Sequence, residues 1–127
     1  MRVLVTGLHV TDVRRADAFY TQVLGLREVL VVPAHDLCIL GPSSGWEMGA
    51  QINLEPIEDD ATRAWSEHQL RAGLAALMLA VDDVEREYHR LCDRGDVVVR
   101  EELTQDVIGL HFQIEDGVGN ILSIHQA

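Results

Sequence analysis

The 127-residue sequence predicts an α+β fold made of two tandem βαβββ modules. Three observations carry that expectation. First, "HVTDVRRADAFYTQVLGL" (9–26) is echoed by "AVDDVEREYHRLCDRG" (80–95): an apolar run ends at an Asp, a Val follows, and a helical pattern closes near a Gly. Second, three short strand-like runs punctuated by turn formers follow each Gly. Third, one helix per four strands covers only one face of a sheet, so two such units should pair to cover or share the other.

The elements follow in chain order. "RVLVTGLHV" is apolar and β-branched with small residues between, which suits a buried strand. Asp12 stands where a helix cap belongs, because a carboxylate there accepts from the first unpaired amides. Val13, Ala16, Phe19, Tyr20 and Val23 recur at helical spacing as one apolar stripe, and Gly25 is the stop. "REVLVV", "DLCIL" and "AQINLEP" read as three strands, separated by "PAH" and "GPSSGWEMG". The second half repeats the order: "LAALMLAV", the cap Asp83, the stripe Val84, Tyr88 and Leu91, and the stop Gly95. "DVVVREEL", "GLHFQIE" and "NILSIHQ" are its remaining strands, with "DGVGN" as a turn. Module one spans 1–56, a polar linker 57–72 and module two 73–127, all in one domain; the linker is helix-prone after Asp60.

Bulk properties narrow the function. An apolar fraction of 47% supports a real core, and no stretch approaches the roughly 20 apolar residues of a membrane span. "MRVLVTGLHV" has no signal-peptide layout, so the expected compartment is the cytoplasm. The net charge of −11 disfavours nucleic acid and anionic lipid and suits a cationic ligand or plain solubility. Cys38 and Cys92 match no zinc spacing and read as small buried hydrophobes. No nucleophile elbow, phosphate loop or dinucleotide fingerprint is present, so no cofactor is expected.

"HVTDVRRADAFYTQVLGL" and the ending "DGVGNILSIHQ" resemble the vicinal oxygen chelate superfamily, the glyoxalase, bleomycin-resistance and extradiol-dioxygenase group. The resemblance runs through both halves. It implies a curled, cup-shaped mixed sheet with the helices outside, a ligand in the cup, and a homodimer. Strand alternation then assigns faces. His9, Gln51, Asn53, Glu55, Met78, Ser123 and His125 fall on the cup side, and Leu8, Val10, Ile52, Leu54, Leu122 and Ile124 on the helix side.

The same resemblance places the superfamily's metal ligands. Aligned on Asp12, Asp83 and "DGVGN", they fall on Val5, Ala76, Ser123 and either Asn53 or, with a slip of two, Glu55. Valine and alanine have no ligating atom, and a catalytic metal wants about three protein ligands. No metal is therefore expected. His9, His111 and His125 are a weaker alternative zinc set. Glu55 and Glu115 are available for acid–base work, although nothing in the spacing pairs them with a histidine. His35, His68 and His89 read as solvated.

A cup without metal suits binding without chemistry, resembling the antibiotic-binding resistance proteins that sequester a toxic natural product. His9, Gln51, Asn53, His111 and Gln113 would orient the ligand, Trp46 and Trp65 would stack on it, and Met48 and Met78 would line the wall. Trp65 has an alternative role as linker anchor and Trp46 as a hairpin cap. The competing class is a metal-independent or displaced-site isomerase, lyase or cyclase acting on natural products.

Overall fold

A computed structural model describes residues 1–44 and 49–127. The chain divides into two compact units, Met1–Arg63 and Ala64–Ala127. The first holds β1 (Val5–Val10), α1 (Val13–Ala18), β2 (Arg27–Val32), β3 (Leu37–Gly41) and β4 (Gln51–Pro56). Helix α2 (Asp60–Ala72) spans the division. The second holds β5 (Ala75–Val81), α3 (Val84–Arg94), β6 (Val99–Asp106), β7 (Gly109–Glu115) and β8 (Ile121–Gln126).

Both units have one topology. The sheet orders are β1-β4-β3-β2 and β5-β8-β7-β6. The pairs β1–β4 and β5–β8 are parallel, and every other pair is antiparallel. Parallel pairing requires a crossover, and α1 lies within the β1–β4 connection and α3 within the β5–β8 connection. The expected α+β class and the two tandem βαβββ modules are what the chain forms.

The echoed sequence is an echoed helix cap. Asp12 and Asp83 both sit in extended backbone, and each carboxylate accepts the amide of the third residue on, Arg15 or Arg86, at 3.0 Å. Gly25 and Gly95 end the segments at φ of 77° and 75°, the left-handed region that a Cβ penalises. Ala16 and Tyr20 on one side, and Val84 and Leu91 on the other, are fully buried, each against its own sheet's inner face. That face supplies Leu8, Val10, Leu40 and Leu54 in the first unit and Phe112, Ile114, Leu122 and Ile124 in the second. Each such side chain contributes about 1.5–3 kcal/mol when buried.

Several boundaries differ from the sequence reading. Residues 1–4 precede β1, and Val3 and Leu4 are exposed. Residues 19–23 form a π-helical turn after α1, with the Leu24 amide reaching the Phe19 carbonyl at 3.2 Å. Over five residues a widened turn leaves the same apolar stripe as an α-turn, so spacing cannot separate them. Strand β6 starts at Val99 and not at Asp96, because Asp96 is held back on the end of α3 by Arg94 through two 3.0 Å bonds. The linker beyond Asp60 forms the 13-residue α2. Among the described residues no helix is long and apolar enough to cross a membrane.

Candidate functional site

Strands β1 and β4 run side by side with Val5 opposite Gln51, Gly7 opposite Asn53 and His9 opposite Glu55. Leu8, Val10, Ile52 and Leu54 are buried, so strand alternation turns the six paired residues to the face away from α1. On that face Glu55 is held from two sides. Asn53 Nδ2 donates to its Oε1 at 3.1 Å, and His9 Nε2 lies 3.3 Å from its Oε2. Gly7 leaves room for this carboxylate, since a Cβ there would stand 3.1 Å from the same Oε1.

A cavity of about 320 Å³ opens beside this cluster, entirely within the first unit. His9, Asn53 and Glu55 line one side, His35, Asp36 and Leu37 another, and Glu58, Asp59 and Thr62 a third. Asp59 is committed to starting α2. It accepts the Thr62 amide at 2.9 Å and the Thr62 hydroxyl at 2.8 Å, and these bonds hold its carboxyl below the usual range. Asp36 sits in left-handed backbone at φ 49°, closing the 3-10 turn Pro33–His35. A smaller cavity of about 170 Å³ lies on the helix side, between Val13, Arg14 and Asp17 and the β2–β3 turn. Cys38 borders it, buried, its thiol pushed up to about 12 by burial and then by the Asp17 charge.

The second unit carries a different polar group on its sheet. Ala80, His125, His111 and Thr104 form one cross-strand row, and Met78, Ser123, Gln113 and Glu101 the next. The imidazoles of His111 and His125 stack at 5.0 Å with 14° between planes. His111 is 3% exposed. Its Nδ1 faces the Gly109 carbonyl at 3.0 Å, and a carbonyl only accepts, so Nδ1 carries the proton. Nε2 then faces the carboxylates of Glu101 and Asp106 at 3.6 and 3.7 Å. Ser123 Oγ is bonded to His125 Nε2 at 2.7 Å, but Ser123 is buried, so this Ser–His pair offers no nucleophile to a substrate.

The predicted binding residues thus separate into groups. His9 and Asn53 meet at Glu55 beside the larger cavity, and Gln51 lies on the same face next to Val5. Met78, His111 and Gln113 share adjacent rows of the second sheet, with Met78 exposed. Trp65 stands exposed on α2 with its ring 5.7 Å from that of His68. An anchoring role there would require burial, which it lacks. Trp46 and Met48 lie outside the described residues. The cavity also takes in His35, Asp36, Glu58, Asp59 and Thr62, which the sequence does not single out as binding residues. Of these, only the Asp59–Thr62 cap had a sequence signal, an Asp followed three residues later by Thr ahead of a helix-prone stretch. His35 is exposed, as expected, and also lines the cavity.

The side chains at the superfamily's metal positions do not fit a divalent ion. Val5 and Ala76 have no donor atom, and the Ser123 hydroxyl is taken up by His125. Asn53 and Glu55 bond to each other instead of converging on a common point. Among the described residues no group of three or more His, Cys, Asp or Glu side chains could hold a metal ion.

Comparison with known proteins supplies the wider setting. The uncharacterized protein YurT of Bacillus subtilis (strain 168) is 29% identical over 129 residues, spanning 99% of both chains. The crystal structure of UcmS2 superposes with a TM-score of 0.80 at 21% identity, covering 98% of this chain and 96% of the other. TnmS3, an antibiotic binding protein from Streptomyces sp. CB03234, gives 0.75 at 23% identity, with 99% and 95% covered. A lactoylglutathione lyase from Agrobacterium tumefaciens gives 0.69 at 19%, with 98% and 92% covered. At these identities the likeness speaks to fold, and the fold serves both a binder and an enzyme. The family model for the Glyoxalase/Bleomycin resistance protein/Dioxygenase superfamily matches residues 2–124. That match takes in both βαβββ modules and their repeated caps, and the chain belongs to this superfamily.

Proposed function

We propose that this protein binds a small-molecule natural product and returns it unchanged, acting as a metal-free sequestering protein in antibiotic resistance. The observation that carries the reading is the cavity beside Glu55. Glu55 there is already ordered by Asn53 and His9, and the superfamily's metal positions hold side chains that cannot assemble a centre. A pre-ordered site binds with less loss of side-chain freedom, which favours affinity. Similarity in fold to an antibiotic binding protein supports the same reading. His9, Gln51, Asn53, Trp65, Met78, His111 and Gln113 are the described contact candidates, Trp46 and Met48 the remaining two. The working unit is a cytoplasmic homodimer, to be checked by sedimentation velocity. No metal or organic cofactor takes part.

The test titrates the protein with a panel of aromatic and glycopeptide antibiotics, following tryptophan fluorescence and weighing the recovered compound by mass spectrometry. The expected result is a binder below about 10 μM, roughly −7 kcal/mol, with unchanged mass and no effect of a chelator. One observation favours a second reading. The His9–Glu55 contact is an imidazole–carboxylate pair of the kind that moves protons, and a metal-independent isomerase, lyase or cyclase would use it so. A recovered compound of altered mass or connectivity would establish that reading over sequestration.

A further inference from the structure

We propose that Glu55 is the specificity-determining anchor of the larger cavity and selects ligands carrying a protonated amine. The inference rests on the binding reading above and adds the ligand's charge class. Among the described residues lining that cavity there is no Lys or Arg, while Asp36, Glu55, Glu58 and Asp59 contribute carboxylates. Charge alone does not single out an anchor. Asp59 already spends its oxygens on Thr62. Asp36 and Glu58 are exposed and would have to be ordered by the ligand, at a cost in side-chain entropy.

Glu55 differs because its position is set beforehand. Asn53 and His9 each approach a different oxygen, and the bare Cα of Gly7 lets the side chain lie along β1. An ionised carboxylate has about four acceptor sites, so two neighbours leave capacity for an ammonium. The side chain is 42% exposed, which leaves it reachable from the cavity. A charge-assisted N–H bond to an ordered acceptor is roughly twice as strong as a neutral one. A neutral hydroxyl of the same shape gains much less, so the site discriminates by charge.

The test uses benzylamine and benzyl alcohol, near-isosteric probes that differ in charge. Binding to the full-length protein is followed by the NMR shifts of the Asn53 side-chain amide and the Thr62 backbone amide. Benzylamine is expected to bind about tenfold more tightly than the alcohol. Glu55→Gln should remove that preference, and Glu58→Gln should retain most of it. Unchanged melting temperatures show that both variants remain folded. Gly7→Ala, which presses on the same carboxylate, should weaken amine binding without altering the net charge. Equal binding of the two probes, no shift at either amide, or equal losses in Glu55→Gln and Glu58→Gln would overturn the proposal. Equal binding overturns it while leaving the binding-protein reading in place. Antibiotics returned chemically altered overturn that reading while leaving an amine preference at Glu55 intact.

Discussion

Glu28 and Asp17 show how one residue's surroundings set a pH dependence. A hydrogen bond with Asp17, then the Asp17 charge, hold the exposed Glu28 carboxyl above its ordinary range. A carboxyl raised in the folded state binds its proton more tightly there than in the unfolded chain. Its contribution is therefore favourable at low pH and is lost as pH rises through the raised value. At neutral pH the two ionised groups repel. Glu28→Gln is accordingly expected to raise the melting temperature at pH 7, with the gain shrinking toward about pH 4. A variant no more stable than the parent at pH 7, in thermal melts across that range, would rule this out. The candidate residues were legible to different degrees. His9 and Asn53 lie on the predicted face because alternation is local. Glu55 as their common partner was not legible, since that depends on which strand lies beside β1.

At the scale of elements, the caps and turns carry their own bonds. In the "DGVGN" turn, Asp116 is buried and its Oδ1 accepts the amides of Val118 and Asn120, both at 2.9 Å. Its Oδ2 accepts the Asn120 side chain at 2.9 Å. Asp116→Ala strands buried donors between β7 and β8, so we expect a loss of about 2–4 kcal/mol in urea unfolding. A loss under about 1 kcal/mol would show that water replaces the carboxylate at no real cost. The repeated caps at Asp12 and Asp83 were readable because capping depends on neighbours three residues away. The π-helical turn at 19–23 and the late start of β6 were not readable. Each is decided by what the segment packs on or is held back by, and not by its own periodicity.

For the molecule as a whole, the net charge of −11 makes a direct prediction. A field of that sign lacks the cations that release counterions from a duplex. Fluorescence anisotropy with a labelled duplex at about 0.15 M salt should show no binding. Submicromolar affinity there would contradict the proposal of a small-molecule ligand. The two units share one topology but carry different polar groups on their sheets. Glu55 gathers His9 and Asn53 in the first, and in the second His111 faces carboxylates and stacks on His125. A duplicated fold has thus been given two unlike surfaces.

By itself, the sequence determined what depends on short spacings: the module repeat, its caps, the inward stripes and the acidic charge. Tertiary structure alone decided that Glu55 lies against Gly7 between His9 and Asn53, with His35 and Asp36 across a cavity from them. The reason is physical. A parallel β1–β4 pair joins residues 46 positions apart, Gly7 with Asn53 and His9 with Glu55. No local pattern encodes that register, which is set by burying Leu8, Val10, Ile52 and Leu54 together on the other face.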